Sequence, residues 1–216
     1  MTLALFAEPP VAPWAEPIVP GAVWLHGFAS AAAPRLHDGL AGVLAAAPWR
    51  HMQTPGGRTM SVAMTNAGAL GWVSDRRGYR YDARDPSTGR AWPVMPPAWR
   101  RLAVDAAAAA GFANFAPDAV LVNRYEAGTR LALHQDRDEH DFGAPIVSVS
   151  LGLPAVFLFG AFQRAAPAAR LALQHGDVVV WGGPARLRFH GVLPLRPGEH
   201  AEWGAQRINL TFRTAG

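Results

Sequence analysis

From Ala119 to Arg213 the chain is a succession of short apolar runs separated by turn residues: AVLVNRYEAG, RLALHQD, APIVSVSLG, AVFLFGA, ARLALQHGDVVVWGG, RLRFHGV and QRINLTFR. Runs this short, with turns at regular spacing, predict a β-sandwich or double-sheet barrel. Upstream the pattern differs. AAAPRLHDGLAGVLAAAP (31–48) predicts a helix with Leu36, Leu40, Val43 and Leu44 on one stripe. PPAWRRLAVDAAAAAG (96–111) predicts a second, opened by proline and stopped by glycine. Between them TMSVAMTN (59–66) reads as a strand. Residues 67–95, rich in Gly, Pro, Arg and aromatics, have no clear period and are too long for an ordinary connection, so they read as a lid. The fold class is therefore α+β, mostly β. N-terminal helices and a lid (about 1–112) precede a β core (about 113–216) within one domain spanning 1–216, with no internal repeat.

Composition excludes several classes. Half of the residues are apolar, enough for a packed core. The absence of cysteine rules out a disulfide framework, a zinc knuckle and a thiol nucleophile, and is compatible with a reducing compartment. MTLALFAEPPVAPW lacks the basic and long apolar regions of a secretory signal, and no apolar run reaches membrane-spanning length, so the expected location is the cytoplasm. All twenty basic residues are arginine, for a net charge of +4. Arginine forks suit phosphate and carboxylate, but the abundance of alanine points to the coding bias of a GC-rich genome as the source of the overall count.

The chemistry gathers around LALHQDRDE, residues 131–139. On a strand, positions i and i+2 share a face, so His134 and Asp136 can bind one metal together. Imidazole and carboxylate suit Fe(II), Mn(II) or Zn(II), and two histidines with one carboxylate form the face used by non-haem iron oxygenases. The pair alone says little, because eight His and the Asp content give about 0.4 such pairs by chance, and His175-Gly176-Asp177 is a second instance. That second pair stands where a polar turn meets an apolar strand and reads as turn chemistry. RLRFHGV offers His190 as a distal third ligand, although a lone histidine in such a run is more often a core residue. In QRINLTFR, alternation puts Arg207, Asn209, Thr211 and Arg213 on one face and Ile208, Leu210 and Phe212 on the other. Two inward arginines are costly without an anion. Their Cα atoms lie roughly 20 Å apart, which leaves room for a short dicarboxylate between the side chains. Asn123 and Tyr125 add hydrogen-bonding groups on one face of AVLVNRYEAG.

The combination of NRY, LALHQDRDE, PIVSVSLGLP, HGDVVVWGG, RFHGV and RINLTFR resembles the AlkB family of Fe(II)- and 2-oxoglutarate-dependent nucleic-acid demethylases. The resemblance extends to TPGGRTMSVAMTNAG and GWVSDRRGYRY, and so covers nearly the whole chain. It implies a double-stranded β-helix (jelly-roll) core with a nucleotide-recognition lid. His134, Asp136 and His190 would bind Fe(II). Arg213 would pair with the distal carboxylate of 2-oxoglutarate and Arg207 would sit near its metal-bound end, with Asn123, Tyr125 and Asn209 as hydrogen-bond partners. One departure is Ile208, where bacterial members usually carry an aromatic; by alternation it faces outward. The implied reaction uses O2 and 2-oxoglutarate to oxidise N-methyl carbons of 1-methyladenine or 3-methylcytosine, releasing formaldehyde, succinate and carbon dioxide. Such methyls are out of reach inside a duplex, so the substrate would be single-stranded or flipped-base DNA, or RNA. Trp72 would stack on the base opposite His134, Met64, Tyr79 and Arg80 would line the lid, Asp138 would face the exocyclic amine, and Arg164 would lie at the pocket edge. The protein would act as a monomer away from membranes, in a bacterial cytoplasm. Two other classes compete: a 2-oxoglutarate oxygenase of a small molecule or protein, which has no need of an arginine-aromatic lid, and a non-catalytic jelly-roll binding module, which has no use for three metal ligands.

Overall fold

The computed structural model describes residues 13–216; most of the MTLALFAEPPVAPW stretch lies outside the described residues. Strands are numbered along the chain. A seven-stranded antiparallel sheet runs in the order β1 (Trp14–Val19), β2 (Ala22–His26), β11 (Val178–Trp181), β8 (Ile146–Gly152), β13 (Arg207–Arg213), β6 (Ala119–Tyr125) and β3 (Ala63–Gly68). Facing it is a four-stranded sheet: β10 (Ala169–Leu173), β9 (Ala155–Phe159), β12 (His190–Val192) and β7 (Leu131–His134). A separate hairpin pairs β4 (Gly71–Asp75) with β5 (Gly78–Asp82).

Period-2 alternation sorts the large sheet into two apolar faces. Val120, Val122, Val147, Val149, Ile208, Leu210 and Phe212 pack outward against two helices, α1 (Ala33–Ala46) and α2 (Pro97–Ala109). The helices meet them with stripes at helical spacing, Leu36, Leu40 and Val43 from α1 and Trp99, Leu102, Ala103 and Ala106 from α2. The Trp99 indole N–H donates to the Leu36 carbonyl at 3.0 Å, which fixes the two helices to each other. The opposite face, with Leu121, Tyr125, Ile146, Val179 and Trp181, packs on Phe157, Phe159, Leu171, Leu173 and Val192 of the small sheet. Two facing antiparallel sheets joined in this order make the expected jelly roll.

Both helices fall where the sequence predicts them, each a residue or two shorter at either end. Three expectations shift. The strand predicted over 59–66 forms instead as Ala63–Gly68, in register with β6 from Ala63↔Arg124 to Gly68↔Ala119, while Thr59 turns back to bridge Gln53. No strand was expected before residue 59, yet β1 and β2 extend the large sheet through β2–β11 pairing. Pro17 and Pro20 obscure that hairpin in the sequence, and Pro17 is tolerated because β1 is an edge strand. The 67–95 lid, read as aperiodic, contains the β4–β5 hairpin, whose five-residue strands are too short to declare a period. Gly71 lets that hairpin sit down: a Cβ there would stand 2.4 Å from the Trp92 ring.

Candidate metal centre and cosubstrate pocket

His134 closes β7 and His190 opens β12, and the two residues are direct cross-strand partners. Asp136 lies two residues past the strand end. One ligand atom from each of His134, Asp136 and His190 lies within 4.8 Å of the others, the only such cluster among the described residues. His134 Nε2 is 3.6 Å from one Asp136 oxygen and His190 Nε2 is 3.7 Å from the other. Each ring is oriented from behind: His134 Nδ1 bonds the Ala132 carbonyl at 2.8 Å and His190 Nδ1 the Arg188 carbonyl at 3.1 Å. A carbonyl can only accept, so both Nδ1 atoms carry the proton and both Nε2 lone pairs face the cluster, as a metal requires. Burial, followed by the neighbouring His134, lowers the His190 pKa to about 3, keeping the ring neutral. Burial alone would raise the Asp136 carboxyl, but Arg213, His190 and His134 outweigh it and hold it well below the usual carboxylate range. Two neutral imidazoles and a carboxylate, with the remaining directions open to the cavity, fit a divalent iron.

The cluster opens into a cavity of about 650 Å³ between the two sheets, lined also by Asn123, Tyr125, Arg207, Asn209 and Arg213. These five residues come together as expected, but the arginines stand in the reverse order. Arg213 donates Nε and Nη2 to Asp136 Oδ2 at 2.9 and 2.6 Å, so it occupies the metal end. Arg207 lies at the other end of β13, its guanidinium 4.9 Å from the centre of the Tyr125 ring. It is 1% exposed; Nη2 donates to Ser150 Oγ at 2.9 Å, while Nε and Nη1 have no partner. A buried guanidinium with two of its three nitrogens unpartnered, at the end of the cavity remote from the metal cluster, can take an anion there. The expectation that Arg213 takes the distal carboxylate and Arg207 the metal end is therefore corrected. Alternation put both residues on one face but carried no information about which end the metal occupies. Asn209 donates to Ser148 Oγ at 2.8 Å and to the Val149 carbonyl at 3.0 Å, and its Oδ1 accepts from Thr211 and Asn123. It thus holds Asn123 in place, whose own Oδ1 is buried and unpartnered.

The lid covers the other side. Met64 (1% exposed), Trp72, Tyr79, Asp138 and Arg164 all line the cavity. Trp72 and Tyr79 stack at 5.7 Å with 12° between their planes. The Trp72 indole N–H donates to Asp138 Oδ2 at 2.8 Å. Arg164 is exposed, its guanidinium 5.2 Å from the centre of the Phe189 ring. Arg80 departs from the expectation. It is absent from the cavity wall and forks onto Asp75 at 3.1 and 3.0 Å, bracing the hairpin from its outer face. Alternation explains this, because Arg80 lies between Tyr79 and Tyr81 on β5.

Three residues behind the metal cluster escaped the sequence reading. Glu139, 2% exposed at its side chain, pairs with Arg186 at 3.1 Å and with Arg213 at 3.1 Å. Tyr81 donates its hydroxyl to Glu139 at 2.9 Å, and burial pushes its pKa well above the usual phenol value, so it remains a donor. Arg186 also donates to the Asp136 carbonyl at 3.0 Å. Only Glu139's place in the acidic run hinted at this network. His175 and Asp177 serve turns: His175 Nδ1 accepts from Gly152 N at 3.0 Å, and Asp177 caps the Gly27 and Gln174 amides, each at 2.8 Å.

A jelly roll with a His-Asp-His face and a buried arginine fork across the cavity defines an iron oxygenase that takes a dicarboxylate. The chain belongs to the 2OG-Fe(II) oxygenase superfamily, whose family model matches residues 21–213. Within it the likeness is to AlkB: the chain is 56% identical, over 99% of its own length and 98% of the relative's, to the alpha-ketoglutarate-dependent dioxygenase AlkB of Salmonella typhimurium. It is 54% identical to that of Escherichia coli at the same coverage, 99% and 98%. Among solved structures, OsALKBH1 superposes with a TM-score of 0.80 at 28% identity, covering 93% of this chain and 99% of that one.

Proposed function

We propose that the protein reverses alkylation damage in DNA, or RNA, by oxidative demethylation of bases such as 1-methyladenine and 3-methylcytosine. One observation carries the reading: a single cavity joins the His134–Asp136–His190 cluster and the unfilled Arg207 fork to an aromatic lid whose Trp72 is bonded to Asp138. A small-molecule oxygenase needs only the first two. The family relationship supports the same chemistry, since the relatives are named alpha-ketoglutarate-dependent dioxygenases.

When bound, Fe(II) with O2 and 2-oxoglutarate supplies the oxidation of the N-methyl carbon; carbon dioxide and succinate leave, and the hydroxymethylated base releases formaldehyde. The chain's own residues do the rest. His134 and His190, through Nε2, and Asp136, through its carboxylate, would hold the iron. Arg207, backed by Tyr125, takes the distal carboxylate of 2-oxoglutarate, with Asn123 alongside and Asn209 fixing Asn123. Arg213 keeps Asp136 ionised and oriented. A flipped base stacks on Trp72, as aromatic platforms hold unpaired bases generally. Asp138 then accepts from its exocyclic amine and stabilises the cationic ring. Met64 and Tyr79 bound the base pocket, and Arg164 meets backbone phosphate at the rim. Arg80, held by Asp75, supports the hairpin from outside. We also read the chain as one catalytic domain, a monomer of the cytoplasm. Strands from both halves share the large sheet, which supports the single domain.

The test is to supply Fe(II), 2-oxoglutarate and a single-stranded oligonucleotide carrying 1-methyladenine or 3-methylcytosine. Formaldehyde should appear in step with the restored base, and 2-oxoglutarate consumption should rise on adding the oligonucleotide. Consumption indifferent to every alkylated oligonucleotide would overturn the nucleic-acid assignment and leave the small-molecule or protein oxygenase.

A further inference from the structure

Trp72 and Tyr81 are direct cross-strand partners in the β4–β5 hairpin. They reach two adjacent acids that follow the metal-binding Asp136: Trp72 bonds Asp138 at 2.8 Å and Tyr81 bonds Glu139 at 2.9 Å. The two attachments differ in surroundings. Asp138 is half-buried and faces the cavity. Glu139 is enclosed with Arg186 and Arg213, whose side chains are 3% and 7% exposed, and Arg213 continues directly to Asp136 at 2.6 Å.

From this geometry we infer that Tyr81 and Glu139 are positioning residues, a fixed anchor that ties the lid hairpin to the metal carboxylate through Arg213, while Trp72–Asp138 is the releasable contact. The inference rests on the reading of Asp136 as a metal ligand and goes beyond it. A base whose exocyclic amine binds the Asp138 carboxylate competes there with the Trp72 indole N–H, which is held by Oδ2 alone. The hairpin nevertheless keeps its place, because the Tyr81 bond is made to a different carboxylate, one that is sealed between two guanidinium groups. An ion that immobilises Asp136 also stiffens Arg213, Glu139 and the acceptor of the Tyr81 hydroxyl. By reciprocity, loosening Tyr81 loosens the ion.

Amide hydrogen exchange over residues 71–82 tests this without relying on turnover, using Mn(II) as a redox-quiet ion whose binding is titrated first. In the wild-type protein Mn(II) should slow exchange of the hairpin. Tyr81→Phe, which keeps the ring and its packing, should speed hairpin exchange in the metal-free protein about tenfold, the scale of a lost hydrogen bond to a charged group. Trp72→Phe should change it less, and Mn(II) should no longer protect the hairpin of Tyr81→Phe. Glu139→Gln, which keeps an acceptor for Tyr81 but cuts the ionic link to Arg213, should retain the hairpin and also lose the Mn(II) effect. In turnover, Tyr81→Phe should consume more 2-oxoglutarate per base repaired. Hairpin exchange unchanged in Tyr81→Phe, or Mn(II) protection that survives there, overturns the anchor. Failure of Mn(II) to bind the wild-type protein at all overturns the metal site instead, so the two readings fail separately.

Discussion

Arg213 sets two donors on a single oxygen of Asp136, at 2.6 and 2.9 Å, and so serves as counter-charge to a metal ligand rather than to a remote cosubstrate group. Arg213→Ala should leave Asp136 and Glu139 as partly uncompensated buried carboxylates. The expected cost is about 3–5 kcal/mol of stability, the usual result of removing one partner of a buried pair. Thermal unfolding of the metal-free protein checks this. Arg213→Lys, which restores the charge but not the fork, should recover only part of the loss.

Arg207 should behave differently. Its unused Nε and Nη1 await an anion, so Arg207→Ala should weaken 2-oxoglutarate binding by several kcal/mol, a hundredfold or more. Mn(II) affinity should stay near wild type. Titration of 2-oxoglutarate into Mn(II)-loaded protein separates the two arginines. Equal losses of metal and cosubstrate in Arg207→Ala would cancel the division of labour.

His134→Ala or Asp136→Ala should abolish metal binding, because the cluster offers no spare protein ligand. His175→Ala should retain it, since His175 accepts a backbone amide at a turn. Equilibrium dialysis with Mn(II) decides between the two His-x-Asp pairs.

In the metal-free protein burial, followed by the neighbouring His134, lowers the His190 pKa to about 3 in the fold, against the ordinary imidazole value of 6.5 in the unfolded chain. The unfolded chain therefore binds the extra proton first. Stability from this group is fully present above pH 6.5 and falls as pH drops towards 3. At pH 5 the loss should be about 2 kcal/mol. Urea midpoints between pH 7 and 5 measure it, and His190→Gln should flatten the slope.

Trp72→Ala should weaken binding of a methylated oligonucleotide by roughly 1–3 kcal/mol, while 2-oxoglutarate turnover without a base persists. Asp138→Ala should lose activity chiefly on cationic 1-methyladenine and 3-methylcytosine, narrowing their lead over neutral 3-methylthymine and 1-methylguanine. Competition among the four lesions in one oligonucleotide tests this. Equal loss on all four would reduce Asp138 to its bond with Trp72.

What the sequence determined by itself is what short-range periodicity encodes. The stripes of α1 and α2 and the inward row Arg207–Asn209–Thr211–Arg213 follow from spacings of 3.6 and 2, whereas His134 meets Asp136 only through the loop that continues β7 beyond its last residue. The tertiary structure decided everything that depends on which end of a strand meets which. A strand looks the same read from either end of a cavity, so only the antiparallel pairing of β12 with β7, opposite β13, puts Arg213 beside Asp136 and leaves Arg207 remote. The same holds for Tyr81 and Glu139, 58 residues apart, whose bond exists because a five-residue hairpin folds back over the metal end. It holds equally for β1 and β2, short strands, the first interrupted by Pro17, that become part of the large sheet only because β11 presents an edge to pair with.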